Sequence, residues 1–209
     1  MNADLLLVDR PSDGVALLTL NRPDKKNALS ISLRDRISDV LDELAADESV
    51  RAVVITGAGD TFSAGFDLRE FGAAAGDEDL NARLWESSDR YHRRVLAFPL
   101  PTVAAVNGAA IAGGFDLATM CDIRVAATSA RFARPEGSFG PVMYDHLHDL
   151  VGSAVARDLT LTRRSIDAHE ALRMCLVTQV VEDDELMPTA IALAVQVADA
   201  PRHLLLDHK

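Results

Sequence analysis

Two short runs in this chain are apolar but for a threonine at one end, and each is followed by small residues that close on an acid. Residues 53–56 lead through GAGDTFSAGF to Asp67, and residues 102–106 lead through NGAAIAGGF to Asp116. A strand with one wet face alternates apolar and polar side chains, whereas an unbroken apolar run is covered on both faces. Buried parallel strands need helices over the sheet, so this feature alone points to an α/β fold.

The rest of the chain supplies those helices. Residues 5–9 and 15–20 flank PSDG, which predicts a hairpin with a loop of four or five residues. Ser30 is placed to cap a helix whose Leu33, Ile37, Val40, Leu41 and Leu44 share one face. Arg34, Asp35, Asp39, Asp42 and Glu43 are predicted to point away from that face. Residues 77–97 read as a strongly polar helix stopped by Pro99 and Pro101. Leu117, Ala118 and Met120 suggest a short buried helix and 123–126 a strand; residues 146–162 read as helical on both sides of Gly152. A short helix at 168–172, a strand at 177–181 and a helix at 186–198 follow, the last behind the acidic turn Asp183-Asp184-Glu185, which suits its dipole. Without a repeat, low-complexity tract or linker in the sequence, residues 1–209 are expected to form a single domain.

Composition narrows the function. The hydrophobic fraction of 48% suits one substantial core. A formal charge of −11 with no basic stripe argues against nucleic acid as a partner; Lys25 and Lys26, with Arg22 nearby, form a small basic cluster. Cys121 and Cys175 read as reduced core thiols. With no secretory pattern and no apolar run of spanning length, a cytoplasmic location and no membrane span are expected. ITGAGDTF lacks the third glycine of a dinucleotide fingerprint, and Ser63 lacks a nucleophile elbow. His146 and His148 have no further ligand set around them, so no metal is expected.

What remains is chemistry at the two small-residue loops. Small side chains let a ligand approach the backbone, and a loop opening into a helix presents free N–H groups. Two such groups from different loops can converge on one oxygen as an oxyanion hole; the same loops can also be tight turns packed on a sheet. Glu136, between Pro135 and Gly137, is either an exposed loop carboxylate or, with Asp116, one of a pair sharing acid and base duties.

Taken together, LNRPDKKNALS, VVITGAGDTFSAGFDL, PTVAAVNGAAIAGGFDLATMCDIRVAA, ARFARPEGSFG and AHEALRMCLVTQVVEDDEL resemble the crotonase, or enoyl-CoA hydratase/isomerase, superfamily over nearly the whole chain. The resemblance implies a crotonase-like spiral of repeated ββα units, assembled as a homotrimer or hexamer. It implies an acyl-CoA thioester substrate, with coenzyme A part of that substrate and no separate cofactor. The matching positions make Ala64 and Gly113 the oxyanion hole, Glu136 the principal acid/base and Asp116 its partner. Ala28, Ala64, Gly65, Phe66, Asp67, Leu68 and Gly114 would line the substrate, and Lys25 and Lys26 would meet its phosphates. Hydration of a trans-2-enoyl-CoA is the implied activity. Double-bond isomerisation of an enoyl- or dienoyl-CoA, or acyl-CoA binding without catalysis, are the alternatives.

Three departures from the family pattern bear on that choice. Hydratases of the family carry a glutamate where Asp116 stands, one methylene longer. Isomerases with an aspartate there use a further acid, whose nearest equivalents are Tyr144 and Asp145. GPVMYDHLHDLVG is bulkier than the family's glycine-rich turn and would reshape the acyl pocket, and the family's C-terminal helical segment is expected to be short or absent here.

Overall fold

The computed structural model describes residues 4–138 and 146–209. The expectations placed on GPVMYD, Tyr144 and Asp145 fall on or beside residues 139–145, outside the described residues.

The chain opens with β1 (Leu6–Ser12) and β2 (Val15–Leu20), an antiparallel hairpin. The expected long loop is a tight turn instead. β1 runs on through Pro11 by means of a register shift between Asp9 and Ser12, where proline's missing N–H costs little. The turn then needs only Asp13 and Gly14, whose φ of 76° suits glycine. α1 (Ile31–Ala46) follows, capped by Ser30, whose side chain accepts the Leu33 N–H, and it buries the five predicted apolar residues. Burying each such side chain contributes about 1.5–3 kcal/mol. Arg34, predicted to face solvent, is fully buried as well.

Three strand–strand–helix passages come next. β3 (Ala52–Gly57) and β4 (Thr61–Ser63) lead into α2 (Leu68–Ala74) and α3 (Glu78–Leu96). β5 (Thr102–Val106) and β6 (Ala109–Ile111) lead into α4 (Gly113–Met120). β7 (Ile123–Ala127) and β8 (Arg131–Ala133) lead, through a turn of 3-10 helix at Pro135–Ser138, towards α5 (Leu147–Thr162). β9 (Ile166–Asp167), α6 (Ala168–Arg173), β10 (Gln179–Val181), α7 (Leu186–Ala198) and α8 (Arg202–His208) complete the chain.

Each passage places its first strand in one sheet and its second in another. The larger sheet has the order β1-β2-β3-β5-β7-β10, and the smaller β4-β6-β8-β9. All pairs are parallel except β1 with β2 and β8 with β9. The expected spiral of ββα units is thus present, although its repeat is one of structure rather than of residues.

One core packs between the sheets and α1, α3, α4, α5 and α6. A second lies on the opposite face of the larger sheet, where Leu186, Ala190, Ala194 and Ala198 of α7 cover Val54, Val103 and Val125. Alanine every fourth residue lets that helix sit close to the strands. α3 is polar yet firmly docked: Leu84, Tyr91 and Val95 are buried, and Arg90 and Arg94 pair with Asp39 and Asp42 of α1.

Cys121 is buried, and burial pushes its thiol up to about 12, so it is unreactive. Cys175 is not the core residue the sequence suggests: it is exposed, at a left-handed position with φ 61°. Among the described residues no helix is long and apolar enough to cross a membrane.

Candidate active site

The site lies where β4, β6 and β8 end. These strands are parallel neighbours, with Ser63 opposite Ala110 and Ile111 opposite Ala133, so the segments leaving them emerge side by side. Those segments are 64–67, 112–116 and 134–136, and they carry the expected oxyanion-hole and acid/base residues and part of the expected substrate lining. The Ala112 N–H donates to the Ala133 carbonyl at 2.9 Å, tying the second segment to the third.

The small residues are there because the first two segments touch. A Cβ on Gly65 would sit 2.8 Å from the Ala112 Cβ and 2.9 Å from the Gly113 nitrogen, and the φ of Gly65 is 85°. Gly114, expected to line the substrate, is also required by packing: a Cβ there would meet the Ser63 carbonyl oxygen at 2.2 Å.

The structure corrects one of the two expected oxyanion donors. The Ala64 N–H is already donated to the Lys26 carbonyl, at 2.9 Å. At the next residue, the Gly65 carbonyl accepts the Leu29 N–H at 2.8 Å. That bond fixes the Gly65–Phe66 peptide unit with its oxygen towards Leu29, so the Phe66 N–H at the other end of the planar trans unit points the opposite way. No acceptor among the described residues takes it. Gly113 opens α4, so its N–H has no acceptor within the helix. The Phe66 ring lies beside it, 3.0 Å from where a Gly113 Cβ would be. Among the described residues, Phe66 and Gly113 are therefore the pair of loop amides without an acceptor.

Asp116 lies in the first turn of α4, and its Oδ1 accepts a bond from Arg134 Nη2 at 3.0 Å. The side chains are 11% and 2% exposed, so this is a buried ion pair. The sequence reading missed Arg134. Its one signal was an arginine two residues before Glu136.

Glu136 is half-buried in the 3-10 turn, and its Oε2 is buried without a hydrogen-bond partner among the described residues. Burial pushes its carboxyl above the usual range; a bond from its own backbone amide and the charge of Arg134 act in the opposite direction. It is thus a carboxyl suited to holding and passing a proton.

The remaining expected contacts divide. Lys25 and Lys26 are exposed on the turn beside Ala64, and Leu68 is 78% exposed. Ala28 is tied by its carbonyl to Arg22. The Asp67 carboxylate pairs with Arg22 at 3.0 Å and caps α2, so it holds the loop together. Among the described residues no three or more His, Cys, Asp or Glu side chains are grouped to hold a metal.

Residues 10–207 match the family described as enoyl-CoA hydratase/isomerase. The chain is 39% identical over 197 residues to a short-chain-enoyl-CoA hydratase of Clostridium acetobutylicum, covering 90% of this chain and 73% of that one. It superposes on the crystal structure of an enoyl-CoA hydratase from Bacillus anthracis with a TM-score of 0.91 at 31% identity, covering 97% of this chain and 80% of the other. A monofunctional enoyl CoA isomerase from M. smegmatis superposes with a TM-score of 0.81 at 33% identity, covering 97% and 88%.

Proposed function

The chain belongs to the enoyl-CoA hydratase/isomerase family, and from that footing we propose that it adds water across the 2,3-double bond of a trans-2-enoyl-CoA. The observation that supports the reading is that the amides of Phe66 and Gly113, neither bonded to an acceptor among the described residues, and the acids Asp116 and Glu136 all lie on the segments that leave three adjacent parallel strands.

The thioester oxygen accepts both N–H groups. As the water oxygen bonds to C3, the electron pair of the double bond moves towards the thioester and its oxygen becomes an enolate. Fixed dipoles aimed at that oxygen lower the barrier, and one such donor is worth roughly a hundredfold or more in rate. Glu136 takes the proton the water loses and returns one to C2, giving the 3-hydroxyacyl-CoA. Asp116, held by Arg134, orients the water. Coenzyme A is carried by the substrate, Lys25 and Lys26 meet its phosphates, and no separate cofactor enters. A cytoplasmic location and a trimeric or hexameric assembly belong to the same proposal.

Glu136→Gln is expected to lower turnover by about a hundredfold or more while acyl-CoA affinity stays within about threefold. Near-normal rates from that variant, measured with trans-2-enoyl-CoA and checked by calorimetry, overturn the assignment.

One observation favours a second reading. The ion pair between Asp116 and Arg134 commits a carboxylate that hydration would employ, whereas isomerisation needs one acid, Glu136, to carry a proton between C4 and C2. Mass analysis after feeding 2-enoyl-CoA and 3-enoyl-CoA separately decides: hydration adds the mass of water, and isomerisation leaves the mass unchanged.

A further inference from the structure

Arg34 is the largest fully buried side chain among the described residues, and nothing proposed above uses it. Its guanidinium donates to the Leu29 carbonyl at 2.6 Å, the Leu84 carbonyl at 3.2 Å and the Ser87 hydroxyl at 3.3 Å. All three acceptors are neutral. None of the described carboxylates pairs with it directly; Glu70 acts on it through space and spends its own Oε2 on the Ile31 N–H. A buried cation without a counter-ion in contact is costly to keep.

Its surroundings suggest what it is kept for. The guanidinium carbon lies 4.5 Å from the centroid of the Phe66 ring, a cation–π contact. The same guanidinium holds Leu29, whose N–H fixes the Gly65 carbonyl. Gly65 C=O and Phe66 N–H belong to one peptide unit, so Arg34 grips that unit from both sides: through the strand contact behind it and through the ring beside it.

We propose that Arg34 is a positioning residue for the Phe66 amide, and that its positive charge, which no carboxylate among the described residues contacts directly, adds to the field at the enolate oxygen. The inference rests on the reading of Phe66 and Gly113 as the enolate-binding pair. It sets Arg34 apart from a plain clamp between α1 and α3, because a clamp has no preference between a neutral thioester and its enolate.

Acetoacetyl-CoA separates the two roles. Loss of its C2 proton gives an enolate that absorbs in the near ultraviolet, so the pH at which the bound ligand is half enolate reports oxyanion stabilisation directly. R34M is expected to raise that midpoint by about one unit, a tenfold loss of enolate at fixed pH. With trans-2-butenoyl-CoA, R34M should lower kcat about 30-fold with KM within about threefold, since the interaction is made in the transition state. R34K keeps the charge without the flat fork and falls between R34M and the wild type. The double variant R34K/F66L is expected to be no worse than F66L, because both changes act on one peptide unit.

An R34M protein that melts like the wild type and keeps the wild-type midpoint overturns the proposal, as does a rise in KM with kcat unchanged. Should R34M fail to fold, R34K decides alone: an unchanged midpoint overturns the proposal and a raised one supports it. A wild-type protein that enolises acetoacetyl-CoA while its variants match it defeats only the role of Arg34. A wild-type protein that does not enolise it defeats the oxyanion reading as well.

Discussion

Replacing the Glu136 carboxyl by an amide separates its chemistry from the cost of its burial. Its folded-state pKa lies above the ordinary 4.5 because burial disfavours the charge. Between those values the native state binds more protons than the unfolded one, so the stability this group contributes is fully present below 4.5 and is lost as pH rises through the folded value. Glu136→Gln has no such loss. Its melting temperature should match the wild type in acid, exceed it increasingly as pH rises past 4.5, and then hold a constant lead; melting curves from pH 4 to 8 check this. Glu136 and Asp116 could be picked out of the sequence because Pro135, Gly137 and the glycines before Asp116 mark them as loop or helix-start acids. The Ala64 position implied by the family resemblance is overturned because a motif match reveals nothing about whether a residue's own N–H is already donated. That depends on where the Lys26 carbonyl comes to lie, nearly forty residues earlier in the chain. Arg134 was hidden for a similar reason, since its partner stands on a different element. Arg34 was hidden because helical periodicity records one apolar face and cannot foresee a second helix closing over an arginine.

At the scale of the elements, two glycines in neighbouring segments should respond in opposite directions. Gly65→Ala puts a methyl group against the Gly113 nitrogen at a φ of 85°, and is expected to cost about 2 kcal/mol or more and to lower turnover by spreading the donor loops. Gly72 lies inside α2, with nothing within 4 Å of where a methyl group would sit. Gly72→Ala is therefore expected to stabilise by about 0.5–1 kcal/mol with turnover unchanged, by the general helix preference for alanine. Urea unfolding of both variants gives the comparison. Long elements were legible: β5 and α7 coincide with the apolar run and the helical pattern seen in the residues. β4, β6 and β8 were not separated from their loops, because three residues are too few to show a period. Those three strands nevertheless align the site, so the parts least visible in the sequence do most to place the chemistry.

Across the whole molecule, stability and chemistry are anchored at opposite ends. Arg202, at the start of α8, donates to the carbonyls of Ala45 at 2.7 Å and Val50 at 3.1 Å, beside the beginning of β3. Lys209 reaches the Leu100 carbonyl at 3.3 Å and Asp122 at 2.6 Å, beside the beginnings of β5 and β7. The donor loops instead leave the ends of β4 and β6, each of which follows the far end of β3 or β5 by a short turn. Arg202→Ala is thus expected to cost about 1–2 kcal/mol, the worth of two hydrogen bonds, with kcat and KM unchanged; thermal melting alongside steady-state rates checks the split. The alternation of strands and helices announced the α/β class, but the assignment of successive strands to two sheets follows from tight turns at Ala58–Asp60 and Asn107–Gly108 acting together. The unclaimed N–H groups also carry a practical consequence for solution spectroscopy. In nitrogen-labelled protein the Phe66 and Gly113 resonances, with no acceptor among the described residues, should shift when a carbonyl compound docks, while the Arg202 side-chain signal stays put, so a single titration distinguishes occupancy from loss of structure.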